Sequence, residues 1–253
     1  MRLMIEDEII NGVPLTHYRI DDDMPRKLII GCHGFMSNRF STISDIALQL
    51  ARLGFHIVTL DAYMHGERGD SSFLEASNEE QGEKIFDIIF HTANDIKGLV
   101  EHLKQKPEIN TNKIGITGIS MGGMTSYLCA AMIPEIQVVA EMIGTSDYLT
   151  FVHDILEDPE QIELYQEKLQ QIAPYNPIDL LLKQDPIPIL MCHGRQDEVV
   201  PINSVNQAYK RLATHYKEKE CKEQLKYLKY FCKHEVPSEM KRAVYDWFKD
   251  YLG

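Results

Sequence analysis

Cysteine is sparse in this chain, and what there is does not pair. The five residues Cys32, Cys129, Cys192, Cys221 and Cys232 are odd in number and nowhere in Cys-x-x-Cys spacing. This argues against a disulfide framework and against a zinc site, and predicts buried thiols in a reducing cytoplasm. Basic charge is also short. Lys and Arg total 26 against 38 for Asp and Glu, a formal net charge of −12, so the surface should repel phosphate backbones and no nucleic-acid partner is expected. No apolar run approaches the length of a membrane span, and Glu6, Asp7 and Glu8 arrive before any secretory-type run could form. Internal repeats and low-complexity linkers are missing too. What remains is a chain of 253 residues, 44% hydrophobic, long enough for one large domain over residues 1–253 with a substantial core.

The run Leu28-Ile29-Ile30-Gly31-Cys32 has no polar side chain, which predicts a strand buried on both faces. Before it, two extended runs flank Asn11-Gly12, a dipeptide suited to a tight hairpin, and a polar turn is expected at 21–25. Apolar residues at Ile43, Ile46, Ala47, Leu50 and Leu53 have helical spacing, closed by Gly54. Phe55 to Leu60 reads as a strand, Glu79 to Lys106 as one long helix, and Ile136 to Ile143 as another strand. This alternation implies a mostly parallel, doubly wound α/β sheet with an antiparallel amino-terminal edge. It breaks at about 148–185, where a small helical insertion is expected, with a helix start at Asp158-Pro159-Glu160. It then resumes with Ile187 to Cys192, a helix near 202–215, a strand near 225–231 and a closing helix at 237–252. The insertion reads either as a lid or as an ordinary surface helix pair.

Gly118-Ile119-Ser120-Met121-Gly122 lies between an apolar β-branched run and a helix-like run, the setting a nucleophile elbow requires. Glycine on both sides admits the close approach of neighbouring backbone, and the helix that follows aims its free N–H groups at the serine. A serine hydroxyl is a weak nucleophile at neutral pH and needs a base, which in turn needs an acid to orient it. In doubly wound hydrolases these follow in the order serine, acid, histidine. That order selects Asp197, with Asp147 and Glu198 as competitors, and His234, which follows the last strand. The oxyanion donors would be the N–H of Met121 and that of Phe35, after the first buried strand. Phe35, Tyr63, Met121, Met142 and Phe151 are candidate pocket residues, each equally readable as core.

With His33-Gly34-Phe35, the Ser120 elbow, Gly194-Arg195-Gln196-Asp197 and His234 in this order, the chain resembles the α/β-hydrolase superfamily over its whole length. The Ser120-Met121-Gly122-Gly123 run and Asp61-Ala62-Tyr63-Met64-His65-Gly66 are similar to small bacterial carboxylesterases near the dienelactone hydrolase and prolyl-oligopeptidase-like branches. The resemblance implies hydrolysis of a small-molecule carboxylic ester through an acyl-enzyme on Ser120, with no metal or organic cofactor. Serine stands where dienelactone hydrolases carry cysteine, which counts against that reaction. The sequence shows no large amino-terminal domain of the oligopeptidase kind, so peptide cleavage is the lesser expectation. Thioester or activated-amide donors share the chemistry, and a non-catalytic scaffold would need none of these residues together. Because the base must be unprotonated, activity is expected to rise with pH through roughly 6 to 7. The sequence leaves homo-oligomerisation open.

Overall fold

Two consecutive residues in the left-handed region, Asn11 (φ 53°) and Gly12 (φ 79°), close the hairpin between β1 (Leu3–Ile10) and β2 (Val13–Ile20). A two-residue loop with both φ positive matches the twist of antiparallel strands, so the Asn-Gly dipeptide fixes the register in which Ile10 faces Val13. The computed structural model describes every residue except Asp23, in the expected polar turn, and Glu157, in the expected insertion; both lie outside the described residues.

The chain then builds β3 (Arg26–Cys32), α1 (Thr42–Arg52), β4 (His56–Leu60), the short helices α2 (Ser71–Leu74) and α3 (Asn78–Glu83), the long α4 (Ile85–Leu103) and β5 (Ile109–Ile119). Next come α5 (Met121–Met132), β6 (Ile136–Met142), four helices α6 (Tyr148–Ile155), α7 (Pro159–Leu164), α8 (Gln166–Ile172) and α9 (Pro177–Leu181), then β7 (Ile189–Gly194), α10 (Ile202–Glu218), β8 (Leu225–Tyr230) and α11 (Ser238–Tyr251). The eight strands form one sheet in the order β1-β2-β4-β3-β5-β6-β7-β8, parallel from β4 to β8 and antiparallel at the β1-β2 edge. This is the α/β-hydrolase fold.

Side chains of β3 alternate between two cores, as a strand buried on both faces must. Leu28, Ile30 and Cys32 join the layer carrying α4, α5 and α10, while Ile29 joins α1 and α11 through Ile46, Leu50, Val244 and Phe248. The chain leaves β3 for β4 on one side and returns to β5 on the other, so a crevice opens between the carboxyl ends of β3 and β5. Open α/β sheets bind ligands at this switch point.

One helical expectation is corrected in detail. Residues expected as one helix from Glu79 divide at Lys84, because Ser77 and Glu80 form a reciprocal capping box that starts a separate helix, and Gly82 weakens it before α4 begins. Within the insertion a helix starts where expected, with Asp158 accepting from the Glu160 N–H and Pro159 opening α7. The insertion packs sideways onto α4: Tyr148 lies against Phe86 and Tyr175 against Phe90, with ring centroids 5.3 and 5.0 Å apart, and Lys168 pairs with Asp87.

Candidate active site

The turn between β5 and α5 is held in a conformation that side-chain-bearing residues rarely adopt. Ser120 sits at φ 56° and ψ −118°. Strain of this kind costs on the order of 1–3 kcal/mol and persists only where the surroundings over-determine it. They do so here. The Ser120 N–H donates to the Met142 carbonyl (2.8 Å), and the Ser120 carbonyl accepts from Met124 N–H (2.9 Å), which anchors the serine to β6 on one side and α5 on the other. A Cβ on Gly118 would run into the Gly122 carbonyl, and one on Gly122 would strike the Cys32 and His33 carbonyls at the end of β3. The two glycines therefore let α5 start hard against the strands, with the serine hydroxyl above them.

Loops after β7 and β8 bring the other two groups to this hydroxyl. His234 Nε2 lies 2.9 Å from Ser120 Oγ, and His234 Nδ1 lies 2.8 Å from Asp197 Oδ2. Gly194 makes the approach possible, since a Cβ there would collide with the Cys232 and Lys233 carbonyls. The other oxygen of Asp197 accepts from the Val199 and Val200 N–H groups, so the residue caps its own turn and faces the histidine at once. Burial works to raise the Asp197 carboxyl, but hydrogen bonds from His234 and the Val200 N–H, with the charges of His234 and His193, outweigh it and hold it below the usual carboxylate range. An ionised carboxylate fixes a proton on Nδ1 and leaves Nε2 free to take one from the serine. The competing acids are placed elsewhere. Asp147 caps α6 by accepting from Thr150 N–H, and Glu198 is exposed.

On the third side, the loop after β3 brings Gly34 against the elbow, where its Cβ position is 3.7 Å from Ser120 Cβ. Among the described residues the Phe35 N–H has no hydrogen-bond acceptor, and Met121, as the first residue of α5, has none within its helix. A cleft of about 570 Å³ opens beside Ser120, walled by Phe35, Ile119, Ile143, Val199 and Val236, with Thr42, Glu235 and Lys241 also in its lining.

Of the residues expected in the pocket, Phe35 lines this cleft and the others do not. Met142, the last residue of β6, is fully buried in the layer with α1 and α11, Phe151 packs on Phe86 at 6.4 Å, and Tyr63 lies against His91 at 4.5 Å with the Arg68 guanidinium over its face. Among the described residues none of 148–185 borders the cleft, because the aromatic side chains of the insertion find their partners on α4. Two buried groups escaped the sequence reading. Glu141 accepts from Gly144 N–H (2.9 Å) just behind the elbow, with its carboxyl pushed up to about 8 by burial. His65 packs against the Phe35 ring, 5.4 Å between centroids. Only the position of His65 in the Asp61 to Gly66 segment pointed to it.

Among known proteins, the esterase-named YitV of Bacillus subtilis (strain 168) is 28% identical over 261 residues, covering 99% of this chain and 100% of its own. Esterase YjfP of Escherichia coli (strain K12) is 24% identical over 78% of this chain and 80% of its own. The crystal structure of TT1662 from Thermus thermophilus superposes with a TM-score of 0.78 at 19% identity, over 100% of this chain and 99% of that one, which shows a shared fold. The sequence profile of the prolyl oligopeptidase family matches residues 41–253. With an α/β-hydrolase sheet, a strained serine at the switch point and esterase-named relatives, the chain is a hydrolase of the esterase/peptidase class and belongs to the prolyl oligopeptidase family.

Proposed function

We propose that the protein is a serine carboxylesterase acting on small to medium acyl esters through an acyl-enzyme on Ser120, with the whole chain working as one domain. The observation that carries this reading is the continuous relay from Asp197 through His234 to Ser120, at 2.8 and 2.9 Å. Ser120 Oγ attacks the ester carbonyl carbon while His234 Nε2 takes its proton. Negative charge then develops on the carbonyl oxygen, between the N–H groups of Phe35 and Met121, where preorganised donors act more strongly than water can. Collapse of the tetrahedral intermediate breaks the bond to the alcohol, which leaves with the proton from His234. A water molecule, deprotonated by the same imidazole, attacks the acyl-enzyme, and breakage of the acyl–Oγ bond releases the acid as His234 returns the proton to Ser120 Oγ. Asp197 stays ionised throughout and stabilises the imidazolium.

The family match alone accommodates esters and amides alike. Esters are favoured by the esterase-named relatives, YitV over its full length, and by a mainly apolar cleft suited to an uncharged acyl chain. The five free cysteines, four of them buried, suit a reducing compartment such as the cytoplasm. Among the described residues no helix is long and apolar enough to cross a membrane.

Initial rates on p-nitrophenyl acyl esters of increasing chain length, for wild type and Ser120→Ala side by side, test the reading. We expect the variant to lose turnover by about 10⁴-fold or more, as loss of a nucleophile does in serine hydrolases, with an optimum at short to medium chains. Equal rates in both proteins would remove Ser120 from the chemistry.

A further inference from the structure

Phe35 is flanked by two peptide planes, and each is held by a buried histidine. On the amino side, the plane between Gly34 and Phe35 carries the Gly34 carbonyl, which lies 2.7 Å from His33 Nδ1. On the carboxyl side, the plane between Phe35 and Met36 carries the Met36 N–H, which donates to His65 Nε2 at 3.0 Å. The remaining ring nitrogens reach the loop after β4. Ala62 N–H donates to His33 Nε2 (3.0 Å), and His65 Nδ1 lies 2.9 Å from the Tyr63 carbonyl. The two rings lie 5.4 Å apart, and both residues are 1% exposed.

Backbone partners leave no freedom in the proton positions. A peptide N–H can only donate, so Nε2 of each ring must be unprotonated and each Nδ1 must carry the hydrogen. A peptide carbonyl can only accept, so that hydrogen goes to Gly34 in one ring and to Tyr63 in the other. All four nitrogens are satisfied only if both histidines are neutral and in the same tautomer. Burial favours the neutral form of both, pushing His33 down to about 4 and His65 below the ordinary imidazole range.

We propose that His33 and His65 act as a reciprocal clasp that fixes the two peptide planes around Phe35 and so aims the Phe35 N–H at the oxyanion formed on Ser120. In a trans peptide the carbonyl oxygen and the following N–H point to opposite sides. Holding the Gly34 carbonyl toward the His33 ring therefore turns the Phe35 N–H away from it, toward the serine side of the loop. The bond to the carbonyl also polarises that peptide and strengthens its N–H as a donor. The His65 bond fixes the next plane and supports Met36 in the left-handed region, at φ 53°. With both planes fixed, Phe35 cannot rotate its N–H out of the site. Both histidines are positioning residues, because neither borders the cleft beside Ser120.

This inference rests on the reading of Ser120 as nucleophile with Phe35 as an oxyanion donor, and the test separates the two. His65→Gln keeps an acceptor oxygen within reach of the Met36 N–H, whereas His65→Asn keeps only a donor toward the Tyr63 carbonyl. Removing an oxyanion donor outright costs about 10²–10³ in kcat, so a misaimed one should cost on the order of tenfold. We expect His65→Asn to lower kcat about tenfold with KM within about twofold of wild type, and His65→Gln to recover most of the loss. Melting curves and near-ultraviolet circular dichroism check that each variant is folded. Equal kcat in folded His65→Asn and wild type, or equal losses in both variants with a raised KM, would overturn the clasp. Long-range ¹H–¹⁵N NMR of the wild type reads the tautomers without any activity. Two neutral rings protonated on Nδ1 at pH 7 support the clasp, and an Nε2–H form of either ring would overturn it even if His65→Asn failed to fold. Activity surviving in Ser120→Ala would instead sink the underlying reading and leave the tautomer result standing.

Discussion

Two pairs of buried histidines lie at opposite ends of the parallel strands, and they are wired differently. At the carboxyl ends, His33 and His65 are bound to peptide N–H and carbonyl groups alone. At the other end, where His56 opens β4, His56 Nε2 faces His17 Nδ1 at 2.9 Å and His17 Nε2 faces Glu8 at 2.9 Å, with Lys106 also on Glu8. Every member of that second chain can gain or lose a proton, so the direction of its hydrogen bonds follows its protonation state. Peptide groups have no such choice. Equal burial therefore gives a rigid clasp in one place and a titratable chain in the other, and the chemistry of the partners decides which.

The same tautomer logic makes the sharpest demand at the third histidine of the site. In Asp197→Asn the side-chain amide can donate toward His234 Nδ1, which would move the imidazole proton to Nε2 and leave Ser120 facing a donor. We expect kcat to fall by about 10³–10⁴-fold with little change in melting temperature, measured on the ester that wild type turns over best. A loss under tenfold would mean that the carboxylate does not set the tautomer, and that the contrast between fixed and titratable histidines has no bearing on turnover.

Acid should strain both ends of the sheet together. Burial pushes His33 down to about 4 and His56 to about 3, and also lowers His17 and His65. Below the ordinary imidazole value near 6.5 each group binds fewer protons folded than unfolded, so its share of stability is complete above that pH and is lost as pH falls toward 4 and 3. Glu141, raised to about 8 by burial, has the opposite sign: its share is complete below the ordinary 4.5 and is lost as pH climbs toward 8. Scanning calorimetry should show the melting temperature dropping steadily from pH 6.5 to 4. A flat profile would mean that the histidines are solvated and the comparison of two buried pairs is void.

The smallest effect is expected at the hairpin. Gly12 has φ 79° with open space around its Cβ position, so Gly12→Ala meets strain alone, about 1 kcal/mol and a fall of about 2–4 °C in melting temperature, with kcat unchanged. At Gly122, by contrast, a Cβ would strike the backbone of β3. A kcat change in Gly12→Ala would mean that this edge hairpin, which lies at the same end of the sheet as His33 and His65, reaches the site through the loop after β4, where the Pro14 carbonyl accepts from the Asp61 N–H.

What the sequence determined by itself was local or serial. Asn11-Gly12 specified its hairpin, Leu28 to Cys32 its doubly buried strand, and Gly118 to Gly122 its elbow, because each is a short-range steric or hydrophobic requirement that the residues carry with them. Chain order then pointed to Asp197 and His234, and the structure brings both to Ser120. The tertiary structure alone decided what depends on packing between distant segments. Met142 and Phe151 carry the same apolar signal whether they line a cleft or fill a core, and only the packing of Met142 in the layer with α1 and α11 and of Phe151 on Phe86 of α4 assigns them to the core. His65 looks in sequence like any one of ten histidines. Its meaning lies in a peptide N–H 29 positions away, which reaches its ring only after β3 and β4 have paired and brought their two loops together.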